Sequence, residues 1–280
     1  MTDILTSLHG RAIGLGPEGK TGAMKGKRRL ISKGGFLSGD HGNQIALPSP
    51  SYVSYFEDFL GDVVPDQINA IEGTDSATSD CAILAGGIGG VMRLTTGDAG
   101  TGLAADLEQI TWSLQWQASN GGLVFQTRLK MSAITTCYAF VGLTDLAASL
   151  EGPVVSAASA DTITTNATDA VGFMFDTRMA TDTWWLVGVA ADVDATLQNT
   201  GFAPVADTYA TFRVEVDTDG VANFFYNGAH VGNAMSGALT AATDLTPTIA
   251  VSKTSVAASM TMDVDYVHVG MTRAADGGVA

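Results

Sequence analysis

Residues 209–232 alternate apolar and polar side chains with a period of two. Phe212, Val214 and Val216 fall on one face of an extended strand, and Arg213, Glu215 and Asp217 on the other, because successive side chains of a strand point to opposite faces. Asp217, Thr218, Asp219 and Gly220 then turn the chain, and residues 221–226 return it. Asn227 and Gly228 turn it again with residue types that accept the positive φ angles of a type I′ turn. The pattern predicts a meander of two hairpins. Residues 122–131 alternate as strictly: Leu123, Phe125, Leu129 and Met131 point one way, and Gln126, Arg128 and Lys130 the other. Residues 111–117 put Trp112, Leu114 and Trp116 on one face. Near the C-terminus Met260, Met262, Val264 and Tyr266 alternate with Thr261, Asp263 and Asp265. Further runs at 52–59, 91–95, 138–143, 171–176, 183–189 and 246–251 bring the expectation to about ten to twelve strands.

No window carries a sustained helical period, and Pro65 limits the one short turn that 63–71 allows. Parallel strands need long crossover connections, usually helices, so the expected sheets are antiparallel. This many strands fits an all-β fold of two sheets packed face to face, roughly 10 Å apart. The absence of an internal repeat argues against a propeller or a β-helix.

Composition adds an asymmetry. The 280 residues are 46% apolar and 15% charged, which excludes disorder over the whole chain. The net charge of −15 makes nucleic acid a poor partner. That charge is divided unevenly. Residues 1–50 hold Arg11, Lys20, Lys25, Lys27, Arg28, Arg29 and Lys33 against Asp3, Glu18 and Asp40, a net +4, which leaves −19 on the other 230 residues. The first fifty residues are Gly-rich and lack an apolar period, and the prolines at 48 and 50 keep their end extended. The expected organisation is an extended basic arm over 1–50, a β-sandwich over 51–271 and a Gly/Ala-rich tail over 272–280. Two readings of the arm stand: a tail whose charge aids solubility, or a segment that orders against an acidic partner, such as the body of a neighbouring copy. There is neither a secretory signal pattern nor a run of ~20 apolar residues, so the expectation is synthesis in a cytoplasm and no membrane partner.

Chemical motifs are sparse. Cys81 and Cys137 lie 56 residues apart with no CxxC and no histidine at ligand spacing, which argues against zinc and leaves a single disulfide or two buried thiols. The Gly-rich run at 86–90 lacks a GK[ST] ending and a helix after it, so it is not a phosphate loop. His9, His41, His230 and His268 are scattered and form no nucleophile–base set with the cysteines. Asp192/Asp194 and Asp217/Asp219 are compact carboxylate pairs, readable as calcium ligands or as polar turns. Neither lies in an EF-hand loop. On a strand, Trp184 and Trp185 point to opposite faces: one ring belongs to the core and the other is exposed or under a loop. The outer ring suits a subunit contact or stacking on a sugar. No cofactor, metal or catalytic residue is assigned.

Residues 209–232 and the closing strand 262–269 resemble the late strands of the concanavalin A-like lectin/glucanase jelly roll. Residues 55–61, 89–95, 121–130 and 165–173 resemble tailed-bacteriophage structural proteins with that fold. The resemblance covers roughly 52–270. It implies a non-enzymatic virion protein, a capsid decoration or cement protein on the capsid exterior. Its partners would be the major capsid protein and neighbouring copies of itself, in a homo-oligomer for which a trimer is one arrangement. Arg11, Lys20, Lys25, Lys27, Arg28, Arg29, Lys33, Trp184 and Trp185 are the expected partner-binding residues. The lectin branch implies, as the alternative, a carbohydrate-binding module of a tail fibre, with host glycans as ligands. The glucanase branch implies a glycoside hydrolase with an ExDxxE-like strand. Its carboxylates would be about 5–5.5 Å apart for retaining chemistry. Glu215 and Asp217 come nearest, but Gly220 stands where the second glutamate belongs. The other reading makes Glu215 and Asp217 the solvent face of a strand and Asp219 the hairpin. Asp263 and Asp265 are a second same-face pair, either solvated or bonded to Arg or Lys across the sheet.

Overall fold

The strands that alternate most strictly lie side by side in one sheet, and the fully buried strands lie in the other. The computed structural model describes residues 36–38, 44–46, 52–73, 79–85, 89–97, 103–146, 152–255 and 258–272. Contacts divide the chain into two units, Met1–Val53 and Ser54–Ala280. In the first, β1 (Phe36–Ser38) pairs antiparallel with β2 (Gln44–Ala46). The seven basic residues of the expected arm lie outside the described residues.

The next strands in chain order are β3 (Tyr52–Glu57), β4 (Asn69–Ile71), β5 (Asp80–Ile83), β6 (Met92–Thr95), β7 (Glu108–Thr111), β8 (Leu123–Met131) and β9 (Cys137–Thr144). After them come β10 (Val155–Ser159), β11 (Thr162–Thr165), β12 (Ala170–Asp176), β13 (Trp185–Ala190), β14 (Val193–Asp194) and β15 (Gln198–Asn199). The last are β16 (Ala210–Val216), β17 (Ala222–Tyr226), β18 (Ala229–Met235), β19 (Thr246–Lys253) and β20 (Thr261–Thr272). One sheet, here the front, runs β18-β17-β16-β8-β20-β6-β5, with β3 also on β20. The back sheet runs β14-β13-β12-β9-β19-β7-β4, with β15 also on β13. The strands pair antiparallel, as in β16 with β8 and β12 with β9. The chain is an all-β, two-sheet sandwich.

Between the sheets lies a chain of rings. Phe173 of β12 meets Phe212 of β16 at 5.2 Å and Phe224 of β17 at 5.5 Å. Trp184 meets Phe212 at 4.6 Å and Phe175 at 5.6 Å. Most of these pairs are edge-to-face, the arrangement that brings ring edges onto ring faces. The meander is as expected: Asn227 and Gly228 both have positive φ, at 50° and 80°.

The back sheet is buried on both faces, since every residue of β7, β9, β12 and β19 is buried. Its inner side faces the ring chain. Against its outer side packs a second apolar cluster that includes Tyr138, Phe140, Met174, Val187 and Ala250 from the sheet and Val155 and Ala157 from β10. Strands β10 and β11 form a separate hairpin that contributes to this cover. Gly142 and Gly172 are cross-strand partners, and a Cβ at Gly172 would lie 3.1 Å from Cζ of Phe140. A Cβ at either glycine would first meet the backbone of the partner strand, so the pair lets β9 and β12 approach closely.

Two expectations fail locally. Residues 112–117 are not a strand: β7 ends at Thr111, and only an isolated bridge joins Trp116 to Leu245. The amide of Trp112 instead donates to the Thr246 hydroxyl at 2.8 Å, which breaks the ladder there. In β20 the register shifts between Val264 and Tyr266. Asp265 is the extra residue of a bulge, and a bulge re-aims the side chains beyond it. Tyr266 therefore leaves the core side and pairs opposite Arg128. One free edge is closed by a side chain. Gln198 accepts from the Asn233 amide at 2.7 Å and donates to the Asn233 carbonyl at 3.2 Å, so it pairs with β18 as another strand would.

Candidate functional site

The carboxylates with a candidate catalytic role, Glu215, Asp217, Asp263 and Asp265, are already engaged. Asp217 Oδ1 accepts from the amides of Asp219 and Val221, both at 2.9 Å, so this carboxylate closes the β16–β17 hairpin. Glu215, on the outer face of β16, accepts from Arg213 at 3.1 Å. Glu215 lies on the strand face that the solvent-face reading gives it, whereas the two amide donors take Asp217 off that face and into the turn. Asp263 is buried and receives Arg93 in a two-pronged contact at 2.7 and 2.9 Å, with Lys130 at 3.5 Å. Asp265 takes Arg128 at 2.6 Å. The Arg128 guanidinium lies 4.2 Å from the centre of the Tyr209 ring. Tyr266, exposed to this face by the bulge, accepts from Gln126 at 2.6 Å and stacks on Phe56 at 5.7 Å. The outer face of the front sheet is thus a cross-strand ladder of matched charges and rings. It stiffens the sheet and leaves neither carboxylate of the pair free.

Among the described residues no three His, Cys, Asp or Glu side chains converge at metal-binding distance. Cys81 and Cys137 are free and buried. Burial pushes the Cys137 thiol up to about 12 and the Cys81 thiol higher still, so neither is a thiolate near neutrality.

The most displaced carboxyl is Glu108 of β7. It accepts from the Gly73 amide at 3.0 Å and from the Cys81 thiol at 3.6 Å. Burial is the main cause that pushes it up to about 7, with Glu72 adding repulsion against the lowering effect of those donors. It is fully buried, with the unreactive Cys81 thiol against it. A carboxyl raised in the folded state stabilises fully below its unfolded value near 4.5, and that contribution is lost as pH rises through about 7. Between pH 5 and pH 8 the wild type should lose about 2–3 kcal/mol through this group. Urea midpoints at the two pH values check this: Glu108→Gln, which keeps an acceptor for Gly73, should remove most of the difference.

Trp184 is 1% exposed. Enclosed by Phe175 and Phe212, it cannot reach a partner, and the expected contact role is corrected to a core role. Trp185 is half-buried against the outer cluster, with its indole N–H donating to the Thr181 carbonyl at 3.3 Å.

Asp176 is the functional side chain that the sequence pattern does not single out. Fully buried at the end of β12, it accepts from the Ala157 amide of β10 at 2.9 Å. It also accepts from the Arg178 amide and Nε, both at 3.0 Å, and from Arg178 Nη2 at 2.6 Å. This carboxylate ties the β10–β11 hairpin to the back sheet, together with the Ala180 amide donating to the Ala160 carbonyl at 2.7 Å and the apolar packing of Val155 and Ala157. Its signal in the sequence is an Asp two residues before an Arg, which by itself reads as a polar turn.

No family model matches the chain. No curated protein matches it either. Solved structures do share its fold. A protein of unknown function from Shewanella oneidensis superposes with a TM-score of 0.53 at 13% identity over 82% of this chain and 90% of its own. An endo-1,3-beta-glucanase from Streptomyces sioyaensis gives 0.52 at 12% identity over 81% and 99%. Peanut lectin gives 0.50 at 12% identity over 79% and 98%. The jelly roll of concanavalin A-like lectins and glucanases is therefore the fold of this chain.

Proposed function

We propose that this chain is a non-enzymatic structural component of a tailed-phage particle. The sandwich decorates the capsid exterior, and the basic N-terminal arm holds it to the major capsid protein and to neighbouring copies. The carrying observation is the second apolar cluster: the outer face of the back sheet is packed with Tyr138, Phe140 and Met174 under the β10–β11 hairpin. A face filled in this way is a core, whereas ligand sites are concave and keep a few convergent polar groups. The candidate carboxylates support the same reading, since Asp217, Asp263 and Asp265 hold a turn and a sheet. The charge division supplies the attachment: a basic arm gains charge-assisted contacts on acidic protein, and many copies add avidity. Quantitative mass spectrometry of fractionated particles tests this. The protein should co-purify with capsids in fixed ratio to the capsid protein. Its absence from particles, or its presence on tails alone, would sink the reading.

The structural neighbours favour a second reading, a carbohydrate-binding module, because glucanases and a lectin share the fold. Specific binding on a glycan array that survives loss of the arm's charge would select it.

A further inference from the structure

Residues 56–63 hold three of the exposed large apolar side chains of the body, close together. Leu60 is 72% exposed, Val63 77% and Phe56 59%. Phe59 between them is fully buried with φ 50°, a left-handed conformation that a bulky side chain rarely adopts. Its amide donates to Glu57 Oε1 at 2.9 Å, which helps hold the bend. The bend sends Phe59 inward and leaves Leu60 outside. Beside it lies a groove of about 300 Å³ lined by Phe59, Leu60, Asp62, Ile83, Leu84 and Gly90. Exposed apolar surface with a polar rim marks interaction sites.

The chain segments that build this groove are acidic, and Asp62 lines it. Residues 54–92 contain seven acids and no Lys or Arg. Four of the acids, Glu57, Asp58, Asp62 and Asp66, fall within ten residues of the exposed segment itself. Residues 1–33 are the reverse, with seven bases and two acids. Within the arm, Leu30 and Ile31 stand directly between Lys27, Arg28 and Arg29 on one side and Lys33 on the other. An apolar pair flanked by cations suits a groove that offers Phe59, Leu60, Ile83 and Leu84 beside the Asp62 carboxylate. The 21 peptide steps from Lys33 to Ser54 span at most about 70 Å, enough to reach an adjacent molecule.

We propose that residues 25–33 of a second copy dock in this groove, with Leu30 and Ile31 against Leu60 and Ile83 and the cations over Asp58 and Asp62. This rests on the capsid-decoration reading and gives the arm its receptor on the neighbouring copy. The test uses full-length chains and light scattering at low salt. Wild type should self-associate, and less so as salt rises. A groove variant, Leu60→Glu with Val63→Glu, and an arm variant, Arg28→Glu with Arg29→Glu, should each associate at least about tenfold more weakly. Unchanged thermal midpoints establish that both fold, and Asp62→Lys serves as a milder groove variant. Mixed together, the two variants should recover 1:1 complexes, because one supplies an intact groove and the other an intact arm. A monomeric wild type, a groove variant that associates like wild type, or a mixture no more associated than its parts overturns the proposal. Particle attachment separates it from the reading it rests on. If the groove variant attaches normally and the arm variant does not, the groove is wrong and the arm's role stands.

Discussion

Replacing Phe212 by alanine should destabilise the protein by about 3–5 kcal/mol, the usual range for deleting a buried aromatic ring. Phe212 is fully buried on β16 and touches three other rings: Trp184 at 4.6 Å, Phe173 at 5.2 Å and Tyr226 at 5.4 Å. The first two lie on the back-sheet side and the third on β17, so one substitution opens a cavity at the join between the sheets. Collapse into that cavity is restrained because each neighbouring ring is held by another partner: Trp184 by Phe175, and Tyr226 by Phe202. Total stability of a domain is about 5–15 kcal/mol, so this variant should be marginal at physiological temperature. Phe225→Ala is the control. That ring lies on the outer face of β17 under Arg213 at 4.0 Å, and its loss should cost about 1 kcal/mol or less. Equal urea midpoints for the two variants would contradict a core centred on Phe212.

Asp176→Ala should be the most damaging change at a polar position. It leaves the Arg178 guanidinium without its two-pronged partner and the buried Ala157 amide without an acceptor. The Arg178 side chain is 40% exposed and regains water, so the main cost is the buried Ala157 amide left without an acceptor, about 1–3 kcal/mol. Asp176→Asn, which can still accept from Ala157, should lose less. The two variants also differ in where they open. In Asp176→Ala the β10–β11 hairpin should exchange its amide hydrogens ahead of β9 and β12, because its polar tie to the sheet is lost while the sheet ladder remains. Uniform loss of protection across the body would contradict a locally clamped cover.

How legible each strand is in the sequence depends on how it is buried. Strands β8 and β16 have one wet and one dry face, so Leu123 to Met131 and Ala210 to Val216 alternate in burial as their residues alternate in polarity. The back-sheet strands are dry on both faces. Their unbroken apolar runs, such as Ala170–Asp176, reveal strands but not the layer that covers them. The cover itself, β10 and β11, is built from Val, Ala, Ser, Ile and Thr with almost no apolar period, so periodicity does not find it. The Asp265 bulge is likewise invisible, because one extra residue leaves the alternation intact on either side of it. Of the candidate site, the charge division is legible as composition. The engagement of Asp217 and Asp263 is not, because whether a carboxylate is free depends on partners that the fold supplies, and Arg93 lies 170 residues from Asp263. The burial of Trp184 beside the half-buried Trp185 agrees with strand parity, but parity alone does not say which ring is inside.

The proposed attachment of this protein to a capsid through its arm can be tested directly. Purified particles lacking the protein can be incubated with the full-length chain or with residues 51–280, and bound copies counted by quantitative mass spectrometry. Full-length protein should saturate the particle and dissociate as salt rises, and the arm-less body should bind at background. Wild-type occupancy by the arm-less body would contradict the account.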